Sequence, residues 1–95
     1  MNGQTTQPLA RPSIHANGTS ANDLYCLYSD AVYAVEDAIK VIGNSAPNGR
    51  DYYPQGPAAL DQAVKEQDAR IARLNEVLGE LRELQAHCAA FVREP

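Results

Sequence analysis

From Leu24 onward, apolar and polar side chains alternate along the chain with the period of a helix. Leu24, Tyr28, Ala31, Val35, Ala38 and Ile42 recur at steps of four and three, which aligns them on one helical face. Leu27, Val32 and Ile39 widen that stripe, while Asp23, Asp30, Glu36, Asp37 and Lys40 fall mostly on the other side. Ser20 followed by Asp23 resembles a capping box, with Thr19 as an alternative cap, and Gly43-Asn44 supplies a stop. The spacing predicts a first helix over about 20–43.

A second periodic stretch follows. Leu60, Val64, Ile71, Leu74, Leu78 and Leu81 form a near-heptad, coiled-coil-like seam, interrupted by the polar Gln67. Val77, Leu84, Cys88 and Phe91 broaden the apolar face toward the C-terminus. Proline is tolerated at the first position of a helix, where its missing N–H costs nothing, so Gly56-Pro57 marks a start. This predicts a second helix over about 57–92. Asp61 with Lys65, Glu66 with Arg70, and Glu83 with His87 are spaced to pair along it, each contributing about 0.2–0.5 kcal/mol on a solvated face.

The stretches outside the helices read differently. Residues 43–56, GNSAPNGRDYYPQG, carry prolines that break a helix and an Asn48-Gly49 step that favours a turn with positive backbone dihedrals. Such a segment is long for a link between packed helices, and links of this length tend to be functional or disordered. Residues 1–19 are rich in Gln, Thr, Pro, Asn and Gly and read as a flexible arm, with Leu9 and Ile14 as its apolar anchors. The expected organisation is an arm over 1–19 and a helical hairpin domain over 20–95. The fold class is all-α: an antiparallel two-helix hairpin, able to dimerise into a four-helix bundle.

Folding the hairpin symmetrically about its loop leaves about ten residues of the longer helix without a partner. On that register the overhang is C-terminal and holds Leu84, Cys88, Phe91 and Val92. Its cover would be the arm, through Ile14, or a second copy of the chain. The same register sets Cys26 level with residue 75 and Cys88 about 20 Å further along, beyond the roughly 7 Å between α-carbons that a disulfide allows. Two buried or half-buried free thiols follow.

Composition sharpens the self-association reading. Hydrophobic residues make up 44% of the 95, but alanine is the commonest of them, so a lone hairpin has a thin core. Twelve acidic residues against eight basic ones give a net charge of -4. That balance disfavours binding to phosphate backbones or anionic membrane surfaces. No apolar run approaches the roughly 20 residues that span a bilayer, and the N-terminus lacks a basic start followed by an apolar segment. The expectation is a cytoplasmic protein in which Asn17-Gly18-Thr19 is a turn rather than a glycan site.

Candidate chemistry is sparse. His15, Glu83, His87 and Cys88 show no CxxC, HxxxH or HExxH spacing, so no metal ligands are assigned. Neither Cys26 nor Cys88 has an activating base or a cluster of positive charge, and PNGRD lacks the phosphate-binding pattern. No catalytic or cofactor-binding residues are assigned, and an enzyme is not expected. On the first helix Tyr28 reads as core, with Tyr25 and Tyr33 flanking the seam. Arg50, Asp51, Tyr52 and Tyr53 are the candidate interaction surface, because Tyr and Arg are enriched where interfaces concentrate their binding energy. The competing reading folds one or both tyrosines inward as a lid over Ile42 and Leu60; one ring in and one out satisfies both.

Two strings, IHANGTS (14–20) and PNGRDYYPQG (47–56), resemble short proteobacterial proteins encoded in prophage and mobile-element neighbourhoods, a group without an assigned activity. The resemblance covers the arm, the loop and the start of the second helix. It implies a bacterial cytoplasmic setting and an accessory role. The functional expectation is a non-enzymatic, self-associating helical protein–protein interaction module with an unknown protein partner. The alternative is a dimeric nucleic-acid-associated regulator, which needs Arg70, Arg73 and Arg82 gathered into one basic stripe.

Overall fold

Ser20 starts the first helix as its sequence implies: its Oγ accepts the Asp23 backbone N–H at 3.0 Å while its own backbone stays extended. A cap of this kind contributes about 1 kcal/mol. In the computed structural model, which describes residues 9–92, helix α1 spans Ala21–Gly43, a single turn α2 spans Gly49–Tyr52, a 3-10 turn spans Tyr53–Gln55, and α3 spans Pro57–Ala89. All regular structure among the described residues is helical. The chain is all-α. No helix among these residues is long and apolar enough to cross a membrane.

Helix α3 opens on Gly56, whose φ of 100° lies in the region that favours glycine, followed by Pro57 at the first position. It ends at Ala89, three residues short of the expected Val92, where Phe91 and Val92 donate instead to the Cys88 and Ala89 carbonyls. The linker departs further from expectation. Neither Asn48 nor Gly49 adopts a positive φ; Asn48 is an N-cap, its Oδ1 accepting the Arg50 N–H at 2.9 Å and so starting α2. Pro54 does not break the segment either, since it sits at the start of the 3-10 turn, where no N–H is needed.

Cross-helix contacts set the register. Gln85 Nε2 donates to Ser29 Oγ at 2.9 Å, Arg82 pairs with Glu36, and Gln67 Nε2 donates to the Ile42 carbonyl at 2.8 Å. The partners in α3 fall in number as those in α1 rise, so the two helices run in opposite directions. Counting from the Ser29–Gln85 bond at equal rise per residue brings the start of α1 level with the end of α3. Gln67 then sits at the end of α1, and the unmatched stretch is Pro57 to Glu66. The overhang expected at the C-terminus is therefore at the other end. The linker does not close over a tip. It continues past α1 and covers the first turns of α3, with Gly49 facing Leu60.

The interior is thin, as the alanine content implies. Ala21, Val32, Ala63, Leu78 and Cys88 are its buried apolar members, joined by Gln67. Gln67 accounts for both its polar ends, donating to Ile42 and accepting from Arg70 Nη1 at 3.2 Å. The chain is 61 Å long but only 17 Å in its thinnest extent, a single layer of helices. Leu27, Val64 and Val77, expected to extend the core stripes, are exposed. Tyr28 and Tyr25 are half-buried and Tyr33 is exposed.

The same register corrects the reading of the cysteines. Cys26 and Cys88 lie three residues from Ser29 and Gln85 respectively, on matching sides, so they are nearly level along the axis rather than 20 Å apart. Both are free thiols because they face differently: Cys26 is exposed, against the expected burial, and Cys88 is 0% accessible. Burial pushes the Cys88 thiol above its ordinary pKa. A raised pKa means that the folded state holds this proton longer, so its contribution is complete below the unfolded thiol's pKa and declines as pH rises beyond it. Urea melts at pH 7.5 and pH 10 should show the wild type losing more stability than Cys88→Ala, by at most about 1.4 kcal/mol per pH unit.

Of the expected arm, Arg11 and Pro12 contact α3 and His15 to Ser20 are exposed, while 1–8 fall outside the described residues. Arg11 pairs with Glu83, and the Pro12 carbonyl meets His87 Nε2 at 2.8 Å. The arm turns back toward α1 through a Gly18 N–H bond to the His15 carbonyl. Glu83 and His87, expected to pair with each other, are thus both engaged by the arm. Ion pairs among the described residues join distant segments, and Asp61–Lys65 and Glu66–Arg70 do not form them.

Candidate functional site

The 48–56 segment divides its two tyrosines. Capping by Asn48 fixes α2, and α2 lays the half-buried Tyr52 on α3, where it lines a small depression with Gln55, Ala59, Gln62, Ala63 and Glu66. Two small residues, Ala59 and Ala63, are part of the α3 wall of that depression. Tyr52 thereby occupies the place along α3 where α1 has already ended. Tyr53 lies on the far side of the turn and is 76% exposed, beside the exposed Arg50 and Asp51. One ring is in and one is out. Arg50, Asp51 and Tyr53 are all solvent-facing and together offer both charges and an aromatic ring.

A second surface emerges only from the register. The Glu36–Arg82 ion pair marks one side of the α1/α3 pair. Leu27 lies nine residues before Glu36, about half a turn round α1, and Val77 five before Arg82, about 140° round α3, so both sit on the opposite side; Phe91 lies just past the end of α3, beside His87. Ala34 and Val41 continue from Leu27 at heptad spacing, and Val77 and Leu84 lead to Phe91 at the same spacing. Leu27, Val41, Val77 and Phe91 are between 43 and 61% exposed. This apolar band runs most of the length of α1. The signal for it was present in the sequence, but Leu27 and Val77 are indistinguishable from core positions until the helix pair's crossing side is known.

The remaining candidates disperse. Among the described residues, no three His, Cys, Asp or Glu side chains gather in a way that would hold a metal ion. His87 meets Phe91 edge-on at 5.4 Å between ring centres and is held by the arm. Arg73 and Arg82 are nine residues apart and so point to opposite sides of α3, with Arg82 engaged by Glu36 and Arg70 by Gln67. Within one chain the three arginines do not make one stripe. No family model matches the chain, and neither a curated protein nor a solved structure does.

Proposed function

We propose that the chain is a non-enzymatic helical interaction module: an antiparallel two-helix hairpin that self-associates through its apolar band into a four-helix bundle. The observation that carries this is the single-layer shape with four large apolar side chains exposed on one side. Domains generally bury each helix stripe between two packed layers, and a second hairpin supplies the missing one. In this reading the Arg50–Asp51–Tyr53 group remains free at the end of the bundle to meet a protein partner. A cytoplasmic accessory role in a prophage or mobile element fits the strings in the arm and loop.

Light scattering across the micromolar range tests the assembly. The wild type should be dimeric, and Leu27→Asp with Val77→Asp should return it to monomer with its helicity unchanged. A wild type that stays monomeric throughout that range sinks the reading. For the loop, Tyr53→Ala with Arg50→Ala should lose whatever protein the wild type captures, without changing the dimer.

A further inference from the structure

The N-terminal arm crosses a specific flank of α3. Gln85 faces α1 through its bond to Ser29, and Glu83 and His87, two residues to either side, are each about 160–200° round the helix from it. Both therefore lie on the side turned away from α1, and both hold the arm. The arm sets out from Ser20, beside α1, so it must pass over one flank of α3 to reach them. Burial shows which one. Ala86, Ala89 and Ala90 on the first flank are exposed, whereas Leu84 and His87 on the second are half-buried and Cys88 is fully buried. That second flank also carries Val77 and Phe91, the α3 half of the apolar band.

The hold is light. Arg11 and Glu83 are both substantially exposed, with side-chain accessibilities of 49% and 43%, and exposed ion pairs contribute little. Residues 9–19 form no helix or strand, and His15 to Ser20 are exposed throughout. The turn at His15–Gly18 is closed by one backbone bond and is tight enough that a side chain at Gly18 would come within 2.9 Å of the His15 ring.

We propose that residues 9–14 are a displaceable strap over the α3 half of the self-association face, and that its release opens the Leu84–Cys88 flank to a second copy. This rests on the self-association reading and adds a control to it. While the strap is down, the α3 half of the band is interrupted at Leu84, between the exposed Val77 and Phe91, and its α1 half stays open. When it lifts, Leu84 joins Val77 and Phe91, and the α3 half of the face becomes continuous. A face available only part of the time shows a weakened apparent affinity, in proportion to its open fraction.

The test uses the full chain in a Cys26→Ser background, leaving Cys88 as the sole thiol and reporter of the flank. Arg11→Glu with Ile14→Asp releases the strap; Arg11→Glu with Glu83→Arg rebuilds the ion pair in reverse. With the strap released, DTNB should label Cys88 about tenfold faster, and the dimer dissociation constant should fall about fivefold. The reversed pair should restore both values, with far-UV circular dichroism unchanged across the set. An unchanged labelling rate overturns the strap. Faster labelling with an unchanged dissociation constant overturns its control of association and leaves the dimer standing. Faster labelling with every variant monomeric overturns the self-association reading and the control with it.

Discussion

Leu78→Ala should cost about 3 kcal/mol and lower the melting temperature by about 12–24 °C at fixed protein concentration. Leu78 is 5% exposed, near the middle of α3, and is the largest of the buried apolar residues on that helix. Large-to-small changes in a core cost about 2–5 kcal/mol, the spread reflecting how far the site collapses. Here collapse is limited, because the neighbours belong to long helices pinned by Ser29–Gln85 on one side and Ile42–Gln67 on the other. In a domain whose total stability is about 5–15 kcal/mol, that is a substantial share. Thermal melts of the two proteins measure it, and a loss below 1 kcal/mol would mean that the α1/α3 seam is not where stability resides.

Replacing Tyr52 and Tyr53 in turn by alanine should give opposite results. Tyr52→Ala uncovers Ala59 and Ala63 on a part of α3 that has no other helix beside it, and should cost about 2 kcal/mol, scaled down from full aromatic burial. Tyr53→Ala removes a side chain that is 76% exposed and should stay within about 0.5 kcal/mol. Urea denaturation of both variants checks the pair. Equal losses would show that the segment behaves as one hydrophobic plug, without the division between lid and contact surface.

Several helix ends were legible in the sequence because each rests on local chemistry. Ser20 caps α1 through a bond to a residue three positions on, and Pro57 occupies the one place where a helix accepts it. The single turn α2 was not legible. One turn of helix has almost no intrinsic stability, and this one exists through the Asn48 cap and its contact with α3. The register was hidden for a related reason. Hydrophobic period fixes which face of each helix is buried, but it does not fix how far one slides along the other. That is decided by specific polar contacts such as Gln67 to Ile42, which on the sequence alone looked like an interruption. At the candidate site, Arg50 to Tyr53 stood out by residue type. Residue type alone does not divide Tyr52 from Tyr53, and the apolar band depends on the register.

The path of the linker makes its length a ruler. Because residues 44–56 run alongside the start of α3, a residue added or removed there pulls against the Gln67–Ile42 contact that fixes how far α3 slides along α1. Gln67 meets a carbonyl at the terminus of α1, where a displacement of one helical turn leaves it opposite nothing. Segments with prolines and glycines are usually the places where a chain tolerates insertion; this one sets the gauge of the whole helix pair.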